Sequence, residues 1–213
     1  MVDEFTMQER AQSLMGSLQR HTNKILAAAV GLAAVAGAAY MYRASEATKR
    51  VAAERSYYQA QQAVVSGNVP LATTDLRRTV NTYRGTPGGN QAAVALAQLL
   101  YDQGKYAEGI AVAEQISPES ASERASMAAV IAAGYEGQRK FDQAAERYRA
   151  AAEATNLPSE RAAMKANEAR ALMAAGKAEA ARTIWAELAK DPLGPLADEA
   201  RIRLGELTAK PAA

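Results

Sequence analysis

The chain lacks cysteine and contains one histidine, His21, among its 213 residues. Without cysteine there are no disulfides, no thiolate nucleophiles and no cysteine-ligated metals. A single histidine cannot form the Ser-His, Cys-His or paired-histidine arrangements of hydrolases and metal sites. These absences exclude the commonest hydrolytic centres. They leave the compartment open, because a helical domain with an adequate core needs no disulfides.

The sequence also lacks an excess of charge of one sign and any strand-like pattern. Its 25 Lys and Arg residues and 23 Asp and Glu residues are interspersed, so it has no electrostatic footprint for DNA or RNA. Phenylalanine, at 2 residues, and β-branched runs are scarce. Most glycines and prolines fall between apolar-periodic blocks. This alanine-rich composition predicts an all-α fold.

Phosphate-binding and catalytic motifs are missing as well. The glycine-rich stretch GTPGGN, residues 85–90, lacks the Lys-Ser/Thr of a P-loop and is typical of a turn. Carboxylates such as Asp142 and Glu168 are scattered at spacings typical of solvated helix faces with basic i,i+4 partners. We therefore predict that the protein is not an enzyme and has no cofactor, no metal and no nucleic-acid partner.

One segment, residues 25–42, carries no charge at all, unlike the rest of the chain. At about 1.5 Å per helical residue its 18 positions span about 27 Å, close to the ~30 Å hydrocarbon core of a bilayer. Tyr40 and Tyr42 suit a membrane interface, and Lys24 and Arg43 close the ends. The pattern predicts a single transmembrane helix that contacts the lipid bilayer through residues 25–42.

Two alternatives remain open for this segment. Ala36 and Ala38 have the A-x-A spacing of a signal-peptide cleavage site, although more than twenty residues precede the apolar run and a secretory signal usually starts shorter. An alanine-rich helix buried in a soluble core has a similar composition. The small residues Ala29, Ala33 and Gly37 also leave open a homodimer formed by two paired spans.

Beyond the apolar segment, helical blocks alternate with short breaks at a regular spacing. The breaks lie 37, 35 and 37 residues apart, at Gly67, Gly104, Arg139 and Gly176. A period in the mid-thirties with a turn inside each unit indicates a solenoid of helix-turn-helix units. We predict antiparallel helix pairs over residues 43–207.

The residues inside the units resemble the tetratricopeptide repeat. The third unit has small and aromatic residues in the order of that repeat: Ala132, Tyr135, Phe141, Ala144 and Tyr148. Small residues occur where two helices cross closely, and aromatic residues fill the space between them. The resemblance implies a tetratricopeptide-like α-solenoid in which Tyr148 and Trp185, at equivalent positions, are buried between helices.

The same resemblance implies a protein-binding groove formed by the first helix of each pair. Its predicted lining residues are Tyr57, Gln61, Gln98, Tyr101, Asp102, Glu136, Arg170 and Met173. We expect the two tyrosines to be exposed there. An alternative stays open, in which several of the eight residues only pack against other helices or face water. Repeats that hold a C-terminal carboxylate use Lys and Asn where this chain has Tyr57, Gln61, Val94, Gln98, Ala129 and Ala133. Carboxylate capture is therefore not expected.

The order of the motifs resembles a bacterial family, the YfgM-type ancillary subunits of the SecYEG translocon. The motifs are the polar arm, the Gly-Ala-rich span and the blocks SYYQAQQAVVSGN, ALAQLLYDQGKYAEG and ARALMAAGKAEAARTIWAELAKD. The resemblance implies a cytoplasmic arm (1–24), a transmembrane helix (25–42), a periplasmic repeat domain (43–207) and a flexible tail (208–213). It also implies an inner-membrane scaffold whose protein partners are the translocon and periplasmic chaperones or secreted clients.

A second resemblance keeps another function open. The blocks TYRGTPGGNQAAVALAQLLYDQGKYAEG and PLGPLADEARIRLGEL are similar to repeats of envelope lipoproteins and of the Tol-Pal coordinator. A lipoprotein is excluded because the chain has no cysteine to carry the lipid. A signal-cleaved, soluble periplasmic coordinator of envelope assembly stays an alternative.

The charges beside the apolar segment and the resemblance disagree about orientation. Three basic residues precede the segment and four follow it, namely Arg10, Arg20 and Lys24, then Arg43, Lys49, Arg50 and Arg55. A positive-inside count therefore slightly favours a cytoplasmic repeat domain, whereas the resemblance implies a periplasmic one. Because long domains cross membranes largely regardless of their charge, we predict the periplasmic orientation.

Overall fold

The structure is a computed structural model that describes residues 2–191 and 193–208. The side chains of residues 2–23 and of residue 25 are not among the features described. The predictions that concern the side chain of His21 and the tail from residue 209 onward therefore lie outside the described residues.

The described part of the chain is helical and contains no strand, which confirms the all-α prediction. Proline and a side-chain cap mark several helix starts. Thr86 Oγ1, for example, accepts from the Gly89 N–H at 3.1 Å, and Pro87 begins the helix. The nine helices of this part are α1 (Val2–Val65), α2 (Val69–Thr82), α3 (Pro87–Asp102), α4 (Tyr106–Ala113), α5 (Ala121–Gly137), α6 (Phe141–Ala154), α7 (Pro158–Ala174), α8 (Ala178–Leu188) and α9 (Ala197–Thr208).

By its contacts the chain divides into two units, Met1–Thr48 and Lys49–Ala213. The first unit is helical, and its apolar side chains from Leu26 to Tyr42 are exposed. Among the described residues, one helix is long and apolar enough to cross a membrane, and none of its apolar window is buried. A signal sequence near an N-terminus has the same length and composition. The transmembrane assignment and its boundaries therefore stay predictions.

The second unit is a stack of antiparallel helix pairs. Helix α3 pairs with α4, α5 with α6, and α7 with α8, and α9 follows α8. Residues 49–65 of α1 pair with α2, because Ala60 of α1 and Leu76 and Val80 of α2 belong to one core cluster. Ser56 and Thr79 join the first pair through their hydroxyl groups, whose oxygens lie 2.7 Å apart. The predicted tetratricopeptide-like α-solenoid is confirmed over this unit.

Small residues recur where the paired helices cross. The first helices present alanines with no exposed surface, at Ala60, Ala97, Ala132 and Ala169. The second helices present buried small residues at the same repeat interval, at Ala72, Gly109, Ala144 and Ala181. Because these side chains are short, the helix backbones approach closely and larger residues fill the spaces on either side. The repeat period in the sequence is thus the period of the helix crossings.

The turn inside each pair has the same backbone geometry in all four units. Gly67, Gly104, Arg139 and Gly176 have positive φ angles of 73°, 74°, 58° and 77°. After each, a backbone N–H closes the turn on a carbonyl five residues earlier; Lys105 bonds Leu100 at 2.8 Å and Lys140 bonds Tyr135 at 2.9 Å. This is the Schellman ending of a helix, in which glycine is preferred. The predicted turns are confirmed.

Arg139 is the non-glycine member of this set, so its replacement by glycine is expected to stabilise the repeat unit. The left-handed conformation costs an L-residue about 1–2 kcal/mol, and the greater freedom of glycine in the unfolded chain offsets part of the gain. Arg139→Gly should therefore raise the free energy of unfolding by about 0.5–1 kcal/mol, measured by urea denaturation. Gly104→Ala, at the equivalent turn, should lower it by about 1 kcal/mol. Equal shifts in both variants would contradict the strain at Arg139.

Candidate functional site

The first helices of successive pairs line three adjoining cavities, which we call the groove. The largest of these three, about 500 Å³, lies between α3, α5 and α7, and the second, about 440 Å³, lies between α1, α3 and α5. A third of about 200 Å³ adjoins them. Val94 and Ser126 line all three, so the cavities form one continuous surface. The predicted binding face therefore corresponds to a real concavity in the repeat unit.

Five of the eight predicted groove residues line these cavities. They are Tyr57, Gln61, Gln98, Tyr101 and Asp102. Gln98 and Asp102 are exposed, whereas Tyr57 is half-buried and its hydroxyl accepts a hydrogen bond from Gln61 Nε2. Burial is the main cause that raises the pKa of Tyr57 above its ordinary value. Both tyrosines were expected to be exposed, and for both that expectation is wrong.

Tyr101 is half-buried because it fills a space left by two glycines. Its hydroxyl donates to the carbonyl of Val130 on α5 at 3.0 Å. A Cβ on Gly109 would lie 2.3 Å from the Tyr101 ring, and a Cβ on Gly134 would lie 2.6 Å from its hydroxyl oxygen. Burial, followed by the negative charge of Glu114, raises the pKa of Tyr101 to about 12. Truncating Tyr101 would thus disturb the helix stack as well as the groove.

Tyr148 forms part of the wall of the largest groove cavity, although it belongs to the second helix of its pair. It is 6% exposed, and its hydroxyl donates to Glu136 Oε2 at 2.8 Å. Burial and this hydrogen bond to a carboxylate raise its pKa well above the ordinary range. Trp185, at the equivalent position one unit later, has no exposed surface. Both aromatics are buried as predicted.

The other three predicted residues contact neighbouring helices instead of lining the three cavities. Glu136 accepts the bond from Tyr148 of α6. Arg170 forms an ion pair with Glu199 of α9 at 2.5 Å, and its guanidinium lies 5.8 Å from the centre of the Trp185 ring. Met173 Sδ accepts from Trp185 Nε1 at 3.4 Å. Their visible role is to hold α6, α8 and α9, and partner binding by them stays a prediction.

Several residues that line the groove were not among the eight predicted binding residues, although Ala129 and Ala133 had been assigned to groove positions of the repeat. The floor of the largest groove cavity consists of small side chains on α5, and α7 contributes bulkier and polar ones: Ser122, Ser126, Ala129, Ala133, Glu160, Met164 and Asn167. The four small residues recur at i, i+4, i+7 and i+11, which places them on one helix face. That spacing was a usable signal, but small residues on a helix usually indicate close packing and not a binding floor.

The groove offers apolar surface, amide and hydroxyl groups, and carboxylates. Asp102, Glu123 and Glu160 are the charged residues that line its cavities. Among the residues that the structure describes, no group of three or more His, Asp or Glu side chains is arranged to hold a metal ion. The arrangement is suited to non-covalent binding of a polypeptide segment.

Comparison with known proteins establishes the fold. Two solved structures of a Podosopora anserina protein, described as kinesin light chain and as having nearly identical TPR-like repeats, resemble this chain. One structure has a TM-score of 0.59 at 20% sequence identity. The other, a substituted variant of the same protein, has a TM-score of 0.57 at 22% identity. Each match covers 72% of this chain and 83% of the solved chain. No family model matches the sequence, and no curated protein matches it.

Proposed function

We propose that this protein is a non-enzymatic, membrane-anchored scaffold that binds partner proteins in the groove. The observation that carries the proposal is the continuity of the groove across the first helices of four successive pairs. A surface of that kind suits an extended segment of another protein, which contacts several repeats at once. The exposed apolar segment that begins at Leu26 would supply the anchor.

The finer placement that we propose is the bacterial inner membrane, with the repeat domain (43–207) in the periplasm and the arm (1–24) in the cytoplasm. There the scaffold would act beside the SecYEG translocon, and its partners would be the translocon, periplasmic chaperones or secreted clients. Support comes from the order of motifs in the sequence and from the uncharged stretch with tyrosines at one end. A homodimer through residues 25–42 remains compatible with this placement.

The second candidate function is a signal-cleaved, soluble periplasmic coordinator of envelope assembly. The exposed alanines at 36 and 38 favour it, because a signal peptidase needs small residues in an accessible stretch. The mass of the protein isolated from its native cells, from the membrane and the soluble fractions alike, separates the two candidates. An intact N-terminal segment supports the anchor, and a chain that begins near residue 39 supports cleavage.

Site-directed photo-crosslinking in cells tests the scaffold proposal. A photoreactive amino acid at Gln98, which is exposed in the groove, should form crosslinks to discrete partner proteins. The matched control is Glu146, an exposed residue on the second helix α6 that does not line the groove. Partners that crosslink equally from Glu146, or none from Gln98, would contradict binding in the groove.

Protease added to spheroplasts tests the orientation. We expect the repeat domain to be digested while a tag on the arm stays intact until the membrane is lysed. The large folded domain would then be on the outer side, as the translocon placement requires. Repeats that survive until lysis would place them in the cytoplasm and replace the translocon proposal with a cytoplasmic tethered scaffold.

A further inference from the structure

We infer that the groove selects an aliphatic segment that carries lysine or arginine, and that it disfavours segments with acidic side chains or a free C-terminal carboxylate. The inference rests on the proposed function, since it assumes that proteins bind in the groove. It commits to one occupant, which is an extended stretch of a partner protein made of small and aliphatic residues with interspersed positive charges.

All charged residues that line the groove are acidic. Asp102, Glu123 and Glu160 line the three cavities, and no described lysine or arginine does so. The chain as a whole has slightly more basic residues than acidic ones, 25 against 23, so the groove departs from the chain average. An incoming carboxylate would lose hydration and meet like charges, whereas an ammonium or guanidinium group would find acidic partners.

The three basic residues of α7 bond to α6, α8 and α9 and do not line the groove. Helix α3 contains no lysine or arginine. On α7, Lys165 Nζ lies 2.5 Å from Glu187 Oε1 of α8, and Arg170 pairs with Glu199 of α9 at 2.5 Å. Arg161 donates to two backbone carbonyls at the end of α6. Helices α3 and α7 therefore contribute acidic but no basic side chains to the lining of the groove.

The carboxylates of the three acids differ in how far they are already engaged by other groups of the chain. Glu123 Oε2 accepts from the Glu119 N–H at 2.6 Å, and Glu160 Oε2 accepts from the Thr155 hydroxyl at 2.6 Å. Asp102 is exposed at the end of α3, and its side chain forms no hydrogen bond or ion pair with any described residue. Asp102 is therefore where a basic side chain of the bound segment would pair.

The shape and polarity of the groove suit small aliphatic side chains on an extended backbone. The floor on α5 is formed by the small residues from Ser122 to Ala133, and Val94 and Met164 flank it. Gln91 and Gln98 also line the groove, and their side chains form no hydrogen bond with other described residues. Because an amide both donates and accepts, each can pair with the N–H and C=O groups of an extended segment.

The test uses capped, fluorescein-labelled peptides, so that no terminal charge interferes. The first probe is acetyl-GLKVALKVAG-amide, and the second has both lysines replaced by glutamate. Fluorescence anisotropy with the full chain in non-ionic micelles should give a Kd below about 100 μM for the lysine peptide and binding at least about tenfold weaker for the glutamate peptide. The lysine peptide should also bind more weakly as salt rises. Micelles without protein give the background.

Two charge-reversal variants test whether the peptides bind in the groove. Asp102→Lys should weaken the lysine peptide about five- to tenfold and strengthen the glutamate peptide, because a local attraction becomes a repulsion. Glu146→Lys makes the same change in net charge on the outer helix α6 and should leave both affinities within about twofold. Circular dichroism of both variants verifies that they fold.

Three results would overturn the inference. They are absence of binding by the lysine peptide, equal affinity for the glutamate peptide, and equal effects of Asp102→Lys and Glu146→Lys. None of them bears on the crosslinks from Gln98, which test groove binding of any chemistry. Specific crosslinks together with a failed peptide test would leave the scaffold standing and remove only the basic, aliphatic preference.

Discussion

Replacement of Trp185 by alanine is expected to lower the free energy of unfolding of the repeat unit by about 3–5 kcal/mol. The indole has no exposed surface and belongs to the core cluster that joins α6, α7, α8 and α9. Its removal takes away the bond to Met173 Sδ and the stacking of Arg170, and it leaves a cavity that the surrounding helices can fill only in part. Urea denaturation followed by circular dichroism measures the loss.

The control for Trp185→Ala is Thr183→Ala on the same helix. Thr183 is exposed and bonds only its own helix, through Glu179, so its replacement should change stability by less than about 0.5 kcal/mol. Because each repeat contacts its neighbours, Trp185→Ala should also speed amide hydrogen exchange in α7 and α9. An unchanged midpoint would show that the assigned core of the last pair is wrong.

Replacement of Gly88 by alanine is expected to destabilise the first repeat by about 2–3 kcal/mol. A Cβ on Gly88 would lie 2.7 Å from Ala53 C and Glu54 N, and 2.9 Å from Ala53 O. These are backbone atoms of α1, so no side-chain rotation relieves the contact and the two helices must separate. The loss should outweigh the gain of about 1 kcal/mol in helix propensity. Thermal or urea denaturation of the variant measures the difference.

Gly205→Ala is the matched control for Gly88→Ala. Gly205 lies in α9, and a Cβ there would meet no atom within 4 Å. The substitution should therefore stabilise the domain by up to about 1 kcal/mol, through helix propensity alone. If Gly88→Ala stabilised the domain as well, α1 and α3 would not approach as closely as the structure has them.

Much of the fold could be predicted from the sequence, because the residues at helix crossings and turns recur at a fixed interval in each repeat. The spacing of Gly67, Gly104, Arg139 and Gly176 predicted four turns, and all four have positive φ. Even Arg139 was found, although arginine is not a turn residue, because the period required a turn there. The buried Trp185 and Tyr148 followed from the same register. Local propensity and repetition are properties of the sequence, and they were sufficient for these features.

The composition of the groove was predicted only in part. The position of the groove and five of its residues follow from the repeat register, since first helices share a face. Register could not predict that Tyr57 and Tyr101 are half-buried, because burial depends on the size of residues on another helix. Gly109 and Gly134, for example, make the space that Tyr101 occupies.

The partners of charged side chains were decided by tertiary structure alone. In the sequence, Arg170 and Glu199 are 29 residues apart, and only the stacking of α9 beside α7 brings them together. Likewise Lys165 pairs with Glu187 of α8, so that α7 presents Glu160 but no basic residue to the groove. The period of the chain therefore determined helices, turns and register, which are local. The sign of the charge that lines the groove depends on which charged residues, distant in sequence, pair with one another. Those pairs form only when the helices pack.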